Sequence, residues 1–66
     1  MTNADAIKKA VATRDAKLFG QWIDKMRGIG ATYANCLERA QKLTGISADD
    51  FETLAEEADE ASMVSL

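Results

Sequence analysis

Arg27-Gly28-Ile29-Gly30-Ala31-Thr32-Tyr33-Ala34-Asn35-Cys36-Leu37 is the stretch on which the reading of this 66-residue chain turns. Glycine adopts a left-handed backbone without the clash that a Cβ brings, so Gly28 is expected to end one helix at C′. Ile29 then stands at C″, where an apolar side chain packs back on the helix it leaves. The same device recurs 17 residues on: Gly28-Ile29-Gly30-Ala31 matches Gly45-Ile46-Ser47-Ala48, with Leu37 and Leu54 also in register. We read the likeness as shared capping chemistry; a degenerate internal duplication is the alternative.

Outward from this turn, every long stretch reads as helix, because the chain has no proline and its apolar residues recur at helical spacing. The first segment covers about 3–27. At about 100° per residue, Val11, Ala12, Ala16, Leu18, Phe19, Trp22, Ile23 and Met26 share one broad face. Asp15 falls inside that face, and an unpaired buried carboxylate is costly. Either it pairs with a base such as Lys8, or the helix breaks at 13–15 and restarts with Thr13 or Asp15 as N-cap; we favour the break. Gly20 lies opposite the main stripe, where it costs about 1 kcal/mol relative to alanine, and serves either a close helix contact or nothing.

The second segment, about 31–44, sets Tyr33, Cys36, Leu37, Ala40 and Leu43 on one face and Asn35, Glu38, Arg39, Gln41 and Lys42 on the other. Cys36 therefore reads as a small core hydrophobe rather than a reactive thiol. The third segment, about 48–61, opens with Ser47 as N-cap, Asp50 at N3 as a short capping-box partner, and Ile46 placed to staple onto Phe51. Asp49 and Asp50 suit the positive end of its dipole. Residues 62–66 are expected to fray as a tail unless they dock.

Charge is unevenly placed. Residues 1–45 hold all eight bases and four acids, leaving +4, whereas 46–66 hold seven acids and no base, giving −7. The acidic helix is either a solvated face balancing the basic part or a surface for a basic partner. A single cysteine excludes an internal disulfide, and with no histidine an ordinary zinc site is out of reach. No apolar run nears the roughly 20 residues of a membrane span, and residues 1–5 lack the order of a secretion signal. A cytoplasmic protein is expected.

From Gly28-Ile29-Gly30 the chain continues through three residues to Ala34 and two more to Leu37. This series resembles the helix-hairpin-helix motif, Gly-hydrophobic-Gly, then x-x-x-Ala-x-x-hydrophobic, and over about 22–58 the chain is similar to tandem modules of the small DUF4332-like sort. The resemblance implies a tight hairpin with Ile29 plugging the space between two helices and Ala34 permitting their close crossing. The fold class expected is therefore all-α: one domain over 1–66, a small bundle of three helices, or four if the first breaks, around a helix-hairpin-helix-like unit.

In that family the hairpin grips a nucleic-acid phosphate with backbone amides at the start of the second helix. Carried onto this chain, the donors would be the amides of Gly28, Gly30 and Ala31, with the Thr32 hydroxyl, and the bases within reach Lys25, Arg27, Arg39 and Lys42. Arg27 replaces the frequent proline before the first glycine, Ala31 and Thr32 stand where a basic residue is common, and Gln41–Thr44 is an extension. At net −3 phosphate binding would be weak.

Nothing points to an enzyme or a cofactor. There is no phosphate loop with its lysine, no triad, and no histidine for general-base work. The carboxylates Glu52, Glu56, Glu57, Asp59 and Glu60 lack the histidines of a di-iron bundle, and an acidic third helix would repel DNA as a recognition helix. The leading expectation is a non-enzymatic accessory protein acting through protein contacts as a homodimer, with Leu18, Phe19, Trp22, Ile23 and Met26 as the interface to itself or a partner. The alternative is weak, sequence-independent DNA binding through the Gly28–Ala31 amides; a third is a peptide-precursor or tail-display protein. No small-molecule substrate, metal or membrane is implied.

Overall fold

The computed structural model describes the backbone of residues 2–64 and the side chains up to Ala61. Four helices follow one another: α1 (Asn3–Thr13), α2 (Ala16–Gly28), α3 (Tyr33–Thr44) and α4 (Ala48–Val64). The break expected near 13–15 is present. α1 begins at Thr2, whose hydroxyl accepts a bond from the Asp5 amide at 3.1 Å, and it ends on Arg14, which takes the left-handed conformation at φ 54, ψ 40. The Asp15 amide donates to the Ala10 carbonyl at 2.9 Å and that of Arg14 to Val11 at 3.3 Å, the pair of bonds that closes a Schellman cap. Asp15 then caps α2, accepting from the Leu18 amide at 3.1 Å. Its carboxylate is exposed rather than buried, so no pairing with Lys8 is required. The single broad face drawn through 11–26 is correspondingly split, and Ala12 is exposed.

α3 starts two residues later than expected, on Thr32, whose hydroxyl accepts from the Asn35 amide at 3.2 Å. It ends at Gly45 in the left-handed conformation (φ 74) with the Gly45 amide on the Gln41 carbonyl. The following Ile46 is buried, as the cap chemistry requires. Ser47 caps α4 by accepting from the Asp50 amide at 3.1 Å. Asp50's carboxylate faces Arg14 at 4.0 Å, across the bundle, instead of returning to the Ser47 amide. α4 continues to Val64, three residues beyond the expected end; Ser65 and Leu66, the rest of the expected tail, lie outside the described residues.

α2 packs most extensively against α4 and α1, α1 also packs against α3, α3 touches α4 and α2 only lightly, and α1 does not meet α4. This is a small helical bundle, in which the two helices flanking the Gly-Ile-Gly turn touch only lightly. The core is assembled from Ala6, Ile7 and Ala10 of α1, Phe19, Trp22 and Met26 of α2, Cys36 and Ala40 of α3, Ile46 of the turn before α4, and Phe51 and Leu54 of α4. Among the described residues no polar or charged side chain is buried.

A left-handed conformation costs a non-glycine residue about 1–2 kcal/mol. The exposed Arg14–Asp50 pair offsets little of this. Arg14→Gly is therefore expected to raise the unfolding free energy by about 0.5–1 kcal/mol, and Arg14→Val to lower it by about 1 kcal/mol or more. Urea titrations followed by helical circular dichroism measure both; a destabilised glycine variant would contradict the cap geometry.

Candidate functional site

The turn between α2 and α3 is built differently from its reading in the sequence. Gly28 is the last helical residue of α2, and Ile29 (φ −99, ψ 14) still lies near helical space. The left-handed residue is Gly30, at φ 92. The Ala31 amide donates to the Met26 carbonyl at 3.0 Å and the Gly30 amide to Arg27 at 3.0 Å, so this is again a Schellman cap, set two residues later than expected. A Cβ on Gly28 would meet nothing within 4 Å, so no neighbouring atom requires glycine at that position. Ile29 does not plug an interhelical space, since it is 76% exposed.

These bonds decide the fate of the anion-binding donors. The amides of Gly30 and Ala31 are spent on α2's own carbonyls, Gly28 lies within the helix, and the Thr32 hydroxyl accepts the first bond of α3. The four bases do not converge either. Arg27 lines the groove between α2 and α4, whereas Arg39 lines a separate hollow with Asn3, Trp22, Ile29 and Leu43. Lys42 stands 3.6 Å from Glu38, and Lys25 is exposed near the end of α2.

The expected interface is also divided. Phe19 and Trp22 are 0% and 1% exposed, and Met26 is buried with them: these side chains complete the chain's own core and are not available to a partner. Leu18 and Ile23 remain half-buried at its margin. An amphipathic stripe gives the same signal whether it meets its own chain or another, and here its own α4 and α1 claim it.

What lies on the surface instead is a groove of about 430 Å³ between α2 and α4. Gly20, Ile23 and Arg27 of α2, Ala55, Ala58 and Asp59 of α4, and Tyr33 are among its lining residues, with Lys17, Gln21, Asp24 and Ala61. The two helices pack tightly at Gly20, for a Cβ there would stand 3.0 Å from that of Ala58. This is the close helix contact considered for Gly20, now with its partner. Tyr33 packs its ring edge-on to Phe51, centroids 5.3 Å apart, yet the residue remains 53% exposed. Burial, with Glu52 and Glu56 beside it, holds its hydroxyl above the ordinary 10.0. The groove was not legible in the sequence, because it depends on which turn of α4 faces Gly20. Gly20, with Ala55 and Ala58 three apart, was its only signal.

Among the described residues no three potential metal ligands come together, and no helix is long and apolar enough to cross a membrane. Cys36 is fully buried, and burial pushes its thiol up from the ordinary 9.0, partly opposed by Arg27. A raised value in the folded state means that the fold favours the protonated thiol. That contribution is intact below the ordinary value and lost as the pH rises through the raised one; Tyr33 acts in the same direction. Stability in urea is therefore expected to hold from neutrality to about pH 9 and to fall above it, with Cys36 modified by a thiol reagent only as fast as the chain unfolds. Rapid modification of the folded protein would contradict this placement.

Set against known proteins, the chain matches no family model, and no curated protein or solved structure is significantly similar to it.

Proposed function

We propose that this chain is a non-enzymatic accessory protein that acts through protein contacts. The observation that carries the reading is Ile29, a β-branched apolar side chain left 76% exposed at a turn whose backbone bonds are already satisfied. Little of it is covered by the chain, and Tyr33, four residues on, is exposed as well. Exposed aromatic and large apolar side chains on a rigid surface are the usual anchors of protein interfaces. The chemistry available supports a binding role: there is no histidine in the chain, and the lone thiol is buried and protonated.

Ile29→Asp is expected to change unfolding free energy by no more than about 0.5 kcal/mol, as for other exposed substitutions, and to abolish capture of the partner. The measurement is site-specific photo-crosslinking from position 29 or 33 in cells of the native host, compared with a crosslinker at exposed Lys9. Adducts of equal yield from all three positions would sink the reading.

The alternative, weak DNA binding, loses the hairpin amides and keeps, of the groups assigned to it, Lys25, Arg27, Arg39 and Lys42. Titration of duplex DNA at low salt is expected to show no binding; micromolar, strongly salt-dependent affinity would restore that alternative.

A further inference from the structure

We propose that the hollow beside Ile29, where α1, α2 and α3 meet, takes a carboxylate of a partner polypeptide together with the apolar side chain next to it. The inference rests on the reading of the chain as a protein-contact module and names the chemistry that the module takes.

The hollow measures about 230 Å³. Asn3 and Ala4 line it from α1, Trp22 and Met26 from α2, Ile29 from the turn, and Arg39 and Leu43 from α3. Its floor holds a polar group with nothing to bind. The Trp22 ring belongs to the core and is 1% exposed. Among the described residues its indole N–H makes no hydrogen bond. Yet no fully buried side-chain nitrogen or oxygen among them lacks a partner. The sliver of Trp22 that solvent reaches therefore includes the N–H, which opens on the hollow that Trp22 lines. An indole N–H only donates, so it asks for an acceptor.

The groups around it donate as well. Asn3 and Ala4 are the first two residues of α1, and their amides have no carbonyl of their own helix to bond. Thr2 answers the amides of Asp5 and Ala6 instead. The hollow thus receives the positive end of the α1 dipole. Arg39 adds a guanidinium that is exposed and, among the described residues, in no ion pair. Of the lining side chains, Asn3 also carries an acceptor.

Charge beyond the rim has the same sign. Three or four residues along a helix from a lining position, the further charged residues reached are Lys8, Lys25 and Lys42, with no acid among them. The acids nearest in sequence are Asp5 and Glu38, and Lys42 stands 3.6 Å from the second. The α2–α4 groove, by contrast, mixes Lys17 and Arg27 with Asp24 and Asp59.

The apolar walls select among anions. Ile29 is exposed and Leu43 half-buried, with Met26 buried below them. Inorganic phosphate gains nothing from these side chains. A carboxylate with an aliphatic neighbour covers them while it accepts from the donors, and a polypeptide segment presents both at once.

The test is an NMR titration of the isotope-labelled full chain, read at the indole N–H of its single tryptophan. The probes are a blocked peptide in which glutamates flank leucine, its glutamine counterpart, and inorganic phosphate. The glutamate peptide is expected to move the resonance downfield with a Kd of about 1 mM or tighter, and less tightly in salt. The glutamine peptide is expected to leave it in place. Arg39→Gln, at an exposed position, is expected to weaken binding about tenfold, whereas Lys17→Gln, in the other groove, leaves it unchanged; helical content is checked for both. An unmoved resonance, an equal response to the glutamine peptide, or an Arg39→Gln variant no weaker than Lys17→Gln would each overturn the proposal. Phosphate displacing the peptide at equal concentration would make the hollow a plain anion site and remove the polypeptide. Adducts from position 29 in the host with an unresponsive indole would keep the contact module and remove the carboxylate. A responsive indole without such adducts would remove the module.

Discussion

The edge-to-face contact of Phe19 with Phe51, ring centroids 5.1 Å apart at 71°, is the constraint on which the rest of the molecule depends. Both rings are fully buried, and they join helices separated by more than thirty residues. Trp22 extends the cluster along α2 and Tyr33 carries it to the start of α3. Burying one such ring contributes about 1.5–3 kcal/mol, and the aromatic geometry about 0.5–1.5 kcal/mol more. For a chain of this length, at roughly 0.05–0.15 kcal/mol per residue, that is a large share of all the stability there is. The missing Cβ at Gly20 serves the same pair of helices, because it lets α4 come down onto α2 at Ala58.

Local grammar carried most of the fold into the sequence. Asp15 could be read as a cap because the alternative was an unpaired carboxylate in an apolar stripe. Ser47 and Gly45 could be read because each sits where a helix end leaves unsatisfied backbone groups. The Gly-Ile-Gly turn was misplaced by two residues for a reason of the same kind: either glycine could supply the left-handed position, and the choice was made by which carbonyl of α2 received the Ala31 amide. Arg14 carried no sign at all, since an L-residue with positive φ looks like any other in a sequence.

The candidate surfaces were less legible, and for one physical reason. Periodicity reveals that a side chain will be covered, not by what. Phe19, Trp22 and Met26 were covered by their own chain, whereas Ile29, assigned to an interior by its neighbours, is left mostly exposed. Only the packing of the helices, with α2 set chiefly against α4 and α1, separates the two cases, and that packing is a property of the whole chain.

The acidic helix shows what such dependence means for behaviour. Along α4, carboxylates stand three and four residues apart at Asp49, Glu52, Glu56, Asp59 and Glu60, spacings at which like charges oppose helix formation. No lysine or arginine within α4 answers them. Its helicity is therefore borrowed from the body through Phe51, Leu54 and Ala55, and detachment and unwinding are one event rather than two. Any molecule that competed with α4 for α2 would register as a loss of helix, so the segment can report on the integrity of its own seat.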